Sequence, residues 1–415
     1  MEWNPPLRPS ELPDSEGAPG VEDLQAALRP AWVDVDLTAL ERNLAAIRRR
    51  IAETSLHPAQ VMAVVKADAY GHGAVGVSRV LESAGVDRLG VALLEEGAEI
   101  RRAGVEIPIL VLGTARPEKI ALYSRYRLTP TLSSLPELAR WREWTDGQSA
   151  PQRVHLKVDT GMGRLGVTME EVPRALEILR KSPNLRLAGL LSHFGDADVP
   201  DSPRNSVQEE RFDQVLALLT PAEREEILIH MANSAAALHR PESRFALVRI
   251  GIALYGIDPV PAEGGTALTP VMSVRARIVQ LKEVPAGTAL SYGGRTVTRR
   301  RSRIAVVPVG YADGYAWRLT GRAEALARGR RVPVAGSVTM DMTLLDVTDA
   351  GAELGDEVVL LGRQGGEEVT ATELAAHAGT ISWEILCHLG LRLPRRYVRE
   401  GRVEELMSRF SREDI

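Results

Sequence analysis

The sequence predicts two domains: an N-terminal (β/α)8 barrel of the TIM type, followed by a C-terminal, mainly-β domain. Three observations support this prediction. The chain has 415 residues, a length typical of two to three domains. Between residues 36 and 255, short apolar runs alternate with amphipathic, helix-like stretches. After residue 258, β-rich runs separated by glycine-containing turns replace this alternation.

Eight short apolar runs are the predicted barrel strands. Each is about four to seven residues long, which suits a parallel strand buried on both faces. The runs are 61–66, 88–92, 108–112, 128–132, 154–158, 187–192, 227–231 and 247–250. Eight βα units in roughly 220 residues fit a closed barrel. The count alone leaves a doubly wound sheet as the alternative.

Composition sets the predicted domain boundaries. Residues 1–30 are rich in proline and polar side chains, and we expect a flexible tail there. The barrel is assigned to residues 37–265, which end in the connector "DPVPAEGGTALTP". Residues 266–415 form the predicted β domain, with one helix at 371–378. The apolar segment 31–36 suits a strand of either domain, and we assign it to the β domain.

Composition also argues against several classes of protein. The net charge of −4 gives no general attraction to nucleic acid. The single cysteine, Cys387, allows no disulfide within the chain, so we expect a reducing, cytoplasmic location. No run approaches the roughly 18 apolar residues of a membrane helix, and no signal peptide is recognisable. No motif predicts a bound metal.

Polar residues follow several predicted strands, and the strand ends with the loops after them form the active face of such a barrel. Lys66 ends the first strand, in "VVKADAYGHG". The others are Lys157, Asp159 and Arg164 after the fifth strand, His193 after the sixth, Asn233 and Ser234 after the seventh, and Arg249, Gly251 and Ile252 after the eighth.

Each of these residues also has an ordinary structural explanation. Lys66 could extend into solvent from the strand end. Asn233 and Ser234 could simply cap the helical stretch "AAAL". His193 could be a buried structural histidine, and the glycines of "DTGMGRLG" could belong to a mobile loop. The joint placement of these residues at one face is what favours a functional site.

The combination fits pyridoxal phosphate. Ser234 and the amides around Gly251 and Ile252 suit a phosphate, because barrels often bind phosphate after strands 7 and 8. Lys66 suits the cofactor aldehyde, with which a lysine amine forms a Schiff base. Arg249 keeps its proton and would donate to a neutral ring nitrogen. Such a ring is a weak electron sink, which suits removal and return of a proton at an α-carbon.

Seven motifs then identify a family resemblance. They are "VVKADAYGHG", "LKVDTGMGRLG", "HMANSAAAL", "RIGIALYG", "SYG", "GYADGY" and "VTMD". In this order, over about residues 31–400, the chain resembles the alanine racemases. The resemblance implies pyridoxal-phosphate-dependent interconversion of L- and D-alanine by two bases. It also implies a homodimer with shared active sites, a small amino-acid substrate, and supply of D-alanine to peptidoglycan.

The resemblance implies roles for individual residues. Lys66 matches the Schiff-base lysine that acts on D-alanine, and Tyr292 matches the base for L-alanine, supplied by the second subunit. His193 and Arg249 resemble the relay that helps this tyrosine. Arg164 matches the arginine that contacts the cofactor and the substrate carboxylate, and Lys157 matches a carbamylated lysine that orients Arg164. The matches to cofactor-phosphate contacts are Tyr70, Ser234, Gly251 and Ile252, and Asn233 is assigned to cofactor binding. Met340 and Tyr311, also from the second subunit, match substrate-carboxylate and entryway positions.

Two positions depart from the family pattern. Trp383, in "TISWE", stands where the family usually has a tyrosine that reaches the cofactor phosphate. Ser337, in "GSVTMD", stands where the family usually has an arginine. Both changes are expected at the substrate entryway, so a racemase for serine or another small amino acid is an alternative. A noncatalytic pyridoxal-phosphate carrier is a second alternative, disfavoured because such carriers lack the β domain.

Overall fold

The computed structural model describes residues 28–54, 59–147, 150–260 and 266–408. They divide into two compact units. The barrel unit contains Leu40–Ala69 and Ala74–Thr269, and the β unit contains the residues up to Ala39, Tyr70–Gly73 and those from Pro270 onward. The predicted tail, apart from residues 28–30, lies outside the described residues. None of the described helices is both long and apolar enough to cross a membrane.

Eight parallel strands form the barrel. Strand β1 (Ala31–Asp36) belongs to the β unit, and the barrel strands are β2 (Gln60–Val64), β3 (Arg88–Val91), β4 (Ile109–Thr114), β5 (Leu128–Leu132), β6 (Gln152–Lys157), β7 (Leu185–Leu191), β8 (Leu228–His230) and β9 (Leu247–Ile250). From β2 to β8 each strand pairs with the next, and β2 also pairs with β9. Ala246 N donates to Ile229 O at 3.2 Å and Arg249 N donates to Ala232 O at 3.0 Å, which joins β8 to β9.

This sequential order around a ring confirms the barrel and excludes a doubly wound sheet, in which the strand order reverses. The helices of this part of the chain are α1 (Leu37–Thr54), α2 (Lys66–Gly71), α3 (Ala74–Ser83), α4 (Leu94–Arg102), α5 (Ile120–Arg125), α6 (Leu135–Thr145), α7 (Val172–Arg180), α8 (Pro203–Leu216), α9 (Pro221–Glu226) and α10 (Ser234–His239). The barrel therefore positions the carboxyl ends of its strands at a common face.

The segment α2 is a left-handed turn rather than an ordinary helix. Residues 67–70 have φ between 52° and 55°, and Gly71 has φ 81°. Left-handed backbone costs roughly 1–2 kcal/mol for each non-glycine residue, so neighbouring groups must hold it. The sequence predicted only a tight turn here, because "ADAY" contains no glycine that would signal positive φ.

The described residues of the β unit form three sheets. Its strands are β1, β10 (Met272–Arg277), β11 (Gln280–Val284), β12 (Ala289–Leu290), β13 (Thr296–Val297), β14 (Ser302–Val307), β15 (Glu324–Ala327), β16 (Arg330–Pro333), β17 (Thr343–Asp346), β18 (Glu357–Gln364), β19 (Glu367–Val369), β20 (Arg395–Arg399) and β21 (Arg402–Met407). The largest sheet has the order β16-β15-β18-β10-β1-β20-β21, with β19 paired to β18. The smaller sheets are β11-β14-β17 and β12-β13. Strand β1 thus lies between β10 and β20, antiparallel to the first and parallel to the second.

The amino-acid sequence of residues 271–284 predicts one β-rich run, and the structure divides this run between two sheets. Ile278 N donates to Asp356 O at 3.0 Å, whereas the next amide, Val279 N, donates to Val306 O at 2.9 Å. Adjacent residues therefore bond to different sheets, and the strand breaks there. The predicted helix at 371–378 is confirmed as α11 (Ala371–Ala378), and a further helix, α12 (Ser382–His388), was not predicted.

The segment Tyr70–Gly73 was predicted within the barrel, but it groups with the β unit. Arg395 explains this placement, because its Nε and Nη2 donate to Gly71 O at 3.2 and 2.9 Å. The Tyr397 hydroxyl also donates to Gly73 O at 3.3 Å. The carbonyls of Gly71 and Gly73 are therefore bonded to side chains of β20.

Candidate active site

Lys66 begins the left-handed turn directly after β2 and Val65, and its side chain is half-buried. Three hydrogen bonds fix the barrel-unit part of this turn. Ala69 N donates to Val65 O at 2.9 Å, Ala67 N to Glu96 Oε1 at 2.7 Å, and Ala74 N to Asp68 Oδ1 at 2.7 Å. Lys66 is therefore mounted on a fixed piece of backbone at the strand end.

Four cationic side chains share this end of the barrel. Lys157, the last residue of β6, is only 6% exposed. Burial, and then the positive charges of Arg249, Arg164 and Lys66, lower the pKa of Lys157 to about 8, against an opposing effect of Asp159. A lysine with this pKa is partly neutral at physiological pH, which makes its amine available as a nucleophile.

The loop after β6 is organised by one carboxylate. Asp159 Oδ1 accepts from the amides of Gly161, Met162 and Gly163 at 2.9, 2.9 and 3.1 Å, and its Oδ2 accepts from Arg164 N at 3.2 Å. Burial alone would raise the pKa of Asp159, but these four bonds hold it below its usual value. The backbone that carries Arg164 is thus held by a single carboxylate. The glycine-rich loop is not an unsupported segment.

Arg249 is the centre of a buried network and is 3% exposed. Its Nη1 donates to His230 Nδ1 at 2.9 Å and to His230 O at 3.1 Å. Its Nη2 donates to His193 Nδ1, Ser192 O and Met231 O, at 2.9, 2.8 and 2.9 Å. None of these five bonds uses the Nε–H. Burial lowers the pKa of Arg249 to about 9, so the guanidinium stays charged at neutral pH.

These contacts decide the tautomers of two histidines. A guanidinium has donors only, so Nδ1 of His193 and Nδ1 of His230 must accept and carry no proton. Both rings are therefore neutral, with the proton on Nε2. Burial and the charge of Arg249 lower the pKa of both histidines well below the usual value, which keeps them neutral.

The network continues to a residue that the sequence did not identify. His230 Nε2 donates to His155 Nδ1 at 2.9 Å, and burial lowers the pKa of His155 to about 3. The ring of His155 occupies space that Gly189 leaves, since a Cβ there would lie 2.3 Å from His155 Nδ1. The sequence signal was weak, because His155 and His230 occupy strand positions that a barrel usually fills with apolar residues.

Ser234 and Gly251 meet near the ends of β8 and β9. The Ser234 hydroxyl is buried and accepts from Gly251 N at 2.9 Å, and Ile252 begins the next turn. Asn233 caps α10, because its side chain accepts from Ala236 N at 3.1 Å. The capping explanation therefore accounts for Asn233, whereas the Ser234 hydroxyl contacts the following strand-end loop.

The remaining predicted site residues belong to the β unit. Tyr292 lies on a short turn and is 78% exposed. Tyr311 and Met340 are also exposed, Trp383 is half-buried in α12, and Tyr70 is buried, which raises its pKa. The structure therefore brings together the barrel-unit residues in one cluster and places this second group in the other unit.

Ser337 corrects an expectation. We predicted it at a substrate entryway, yet it is 3% exposed and its hydroxyl donates to the carbonyl of Tyr292 at 3.0 Å. A serine so enclosed contacts backbone rather than an open channel. Its position therefore gives no support to a change of substrate preference.

Comparison with known proteins matches this architecture. Residues 35–259 match the family model "Alanine racemase, N-terminal domain", and residues 271–397 match "Alanine racemase, C-terminal domain". The chain belongs to the alanine racemase family. An alanine racemase of Symbiobacterium thermophilum is 43% identical over 382 residues, which are 89% of this chain and 97% of that protein.

Two solved structures extend the similarity to three dimensions. The alanine racemase of Bacillus anthracis, described with bound L-Ala-P, is 36% identical with a TM-score of 0.84, covering 92% of this chain and 98% of that one. The alanine racemase of Bartonella henselae, described with covalently bound pyridoxal phosphate, is 28% identical with a TM-score of 0.80, covering 89% and 99%. The predicted fold, family and enzyme class, an isomerase of the racemase type, are confirmed.

Proposed function

We propose that this chain interconverts L- and D-alanine with pyridoxal phosphate and two bases, Lys66 and Tyr292. The observation that carries the proposal is the cluster of Lys66, Lys157, Arg164 and Arg249 at the barrel strand ends, set within a family of alanine racemases. The fold and family identify the reaction type, and this cluster supplies the chemistry that the reaction needs.

The charge of the site fits this cofactor. Burial and the positive charges of Arg249, Arg164 and Lys66 lower the pKa of Lys157. The nearby carboxylate of Asp159 already accepts hydrogen bonds from four amides. A site with such an excess of positive charge favours an anionic ligand. Pyridoxal phosphate and an amino-acid carboxylate both supply negative charge, and Lys66 supplies the amine for covalent attachment.

The cofactor's holding groups follow from the same geometry. Ser234, with the amides of Gly251 and Ile252, would hold the phosphate. The resemblance adds Tyr70 to the phosphate contacts and Asn233 to the cofactor-binding residues, and Trp383 stands in place of the tyrosine that usually reaches the phosphate. The Nε–H of Arg249 would donate to the ring nitrogen, since its other hydrogen bonds come from Nη1 and Nη2. When bound, the cofactor would stabilise negative charge at the substrate α-carbon.

The chain's own groups then move the proton. The Lys66 amine would remove the α-proton of D-alanine, and the Tyr292 phenolate would remove that of L-alanine from the opposite face. A phenol holds its proton at neutral pH, so the tyrosine needs a donor that stabilises its anion. His193 suits this role, because Arg249 fixes its tautomer with the Nε2–H free of the arginine. Arg164 would hold the substrate carboxylate.

We further propose a homodimer in which each site takes Tyr292, Tyr311 and Met340 from the second subunit. The exposure of these three side chains supports this proposal. Interconversion would then occur in the cytoplasm and supply D-alanine to peptidoglycan. The alternative of serine as the main substrate was based on Trp383 and Ser337. Because Ser337 is buried, only Trp383 still supports it.

One experiment tests the function directly. Purified protein is expected to show the visible absorption of bound pyridoxal phosphate and to interconvert both alanine enantiomers, with serine slower. Chiral chromatography of products from each enantiomer measures the rate, and denatured protein is the blank. Absorption without interconversion of any amino acid would instead support the noncatalytic carrier.

Lys157 is expected to carry a carbamate. Its neutral amine would attack carbon dioxide, forming an N–C bond and releasing a proton to solvent. Burial, and then repulsion by Arg249, Arg164 and Lys66, lower the pKa of the Lys157 amine to about 8. The product is an anion among these three cations, so attraction replaces that repulsion. Protonation of the amine below this pKa opposes the reaction, so occupancy should fall as pH falls and return with added bicarbonate.

Carbon-13 NMR with labelled bicarbonate measures this modification. A carbamate signal should appear in the native protein and be absent in Lys157→Arg. The surface lysine variant Lys119→Arg is the matched control and should keep the signal. We expect Lys157→Arg to raise KM for alanine by about 10- to 100-fold. Each tenfold change corresponds to about 1.4 kcal/mol of binding free energy. A signal that persists in Lys157→Arg would exclude this lysine as the carbamylated group.

A further inference from the structure

Ser291, the residue before Tyr292, has an unusual backbone conformation. Its φ is 58° and its ψ is −170°. This region is used almost only by glycine, and other residues remain in it only where the surroundings hold them. The strained residue therefore sits next to the side chain that we propose as a catalytic base.

Two hydrogen bonds hold this backbone in place. The Ser291 hydroxyl donates to Ser337 O at 2.9 Å, and the Ser337 hydroxyl donates to Tyr292 O at 3.0 Å. Each serine thus bonds to the backbone of the opposite segment. Because Ser337 is almost fully buried, water is poorly placed to replace its bond to the carbonyl. We call this pair of bonds the serine latch.

The segment that carries Ser337 is itself fixed. Gly336 N donates to Thr296 Oγ1 and Val338 N donates to Thr320 Oγ1, each at 3.0 Å. Gly336 has φ 82°, and a Cβ on it would lie 2.8 Å from Ser291 Cβ. The close approach of the two segments therefore requires glycine at 336, and it holds Ser337 against the turn of Tyr292.

We infer that Ser337 and Ser291 are positioning residues that set the orientation of Tyr292 as a base. This inference rests on the proposed function of Tyr292. It also gives a role to the serine that replaces the usual arginine of the family. We expected Ser337 to affect substrate entry. It would instead affect proton transfer, through its hydrogen bond to the carbonyl of Tyr292.

The test is Ser337→Ala, measured in two ways. Without the hydroxyl, the Tyr292 turn should loosen, and hydrogen exchange of a peptide covering residues 289–297 should become faster. Loss of one hydrogen bond predicts a decrease in kcat/KM of about 3- to 10-fold. The decrease must be equal for both enantiomers, because D- and L-alanine have equal free energy in water.

Isotope effects with α-deuterated alanine separate positioning from general damage. A misplaced Tyr292 makes proton removal from L-alanine more rate-limiting and removal from D-alanine less so. The isotope effect on kcat/KM should therefore rise for L-alanine and fall for D-alanine. A simple loss of folded protein lowers both rates and leaves both isotope effects unchanged.

The controls are chosen within the same unit. Ser302→Ala removes another buried serine hydroxyl, which donates to Arg300 O at 3.1 Å, and should leave exchange of 289–297 and both isotope effects unchanged. Ser337→Thr keeps a hydroxyl and should bring both isotope effects part of the way back to the native values. If Tyr292→Phe is inactive while Ser337→Ala shows native isotope effects, the serine latch does not position Tyr292, and Tyr292 remains the proposed base. If Tyr292→Phe keeps native activity, the proposed role of Tyr292 as a base fails, and the inference about the two serines fails with it.

Discussion

Replacing Lys66 by alanine is expected to abolish racemisation and the visible absorption of bound pyridoxal phosphate. Lys66 follows β2 on a left-handed turn whose hydrogen bonds to Glu96 and Asp68 fix its origin. Its amine is the proposed point of covalent attachment and one of the two proposed bases. No other side chain on that turn has an amine, so both functions should be lost together.

Two further variants make this result specific. Lys66→Arg keeps a positive charge among Lys157, Arg164 and Arg249 but has no primary amine, and it should fail like Lys66→Ala. Lys181→Ala removes an exposed lysine on the outside of the barrel and should behave like the native protein. Absorption is measured after dialysis against cofactor-free buffer. A Lys66→Ala protein that retains the band and the activity would remove this lysine from both roles.

The barrel was predictable because its strands are buried on both faces. Runs such as "VMAVV" carry a signal that depends only on composition and length. The break between β10 and β11 was not predictable, because it results from two amides that bond to different sheets. The left-handed turn escaped prediction for a similar reason. It is held by Glu96 and Arg395, which lie far from it in the sequence, and by Asp68 of the turn itself, whose bond to Ala74 N a pattern of residue types does not reveal.

In the candidate site, too, residues with a local sequence signal were predicted, and residues whose role depends on distant contacts were not. Lys66 and Arg249 were found because each is a charged residue at the end of an apolar strand. His155 escaped because its significance depends on His230, which lies far away in the sequence, and on the space left by Gly189. Ser337 was recognised as unusual, but its contact was not, since a pattern of residue types does not reveal which carbonyl a hydroxyl reaches.

A mixture of two inactive variants is expected to recover about a quarter of native activity. Lys66→Ala lacks the proposed base for D-alanine, and Tyr292→Phe lacks the proposed base for L-alanine. If each site combines Lys66 of one subunit with Tyr292 of the other, a mixed dimer has one site with both lesions and one with neither. Random reassociation makes about half the dimers mixed, each with one of two sites intact, which gives roughly one quarter.

The experiment unfolds the two variants, mixes them equally and refolds them with pyridoxal phosphate, and mass spectrometry of intact dimers confirms exchange. Refolding each variant alone gives the baseline. The matched control mixes Lys66→Ala with the double variant Lys66→Ala, Tyr292→Phe, in which no dimer contains an intact lysine and nothing should return. If Lys66 and Tyr292 of one chain instead served the same site, every site in the test mixture would carry a lesion. Activity at the baseline, with exchange confirmed, would therefore contradict the shared site and place both bases within a single chain.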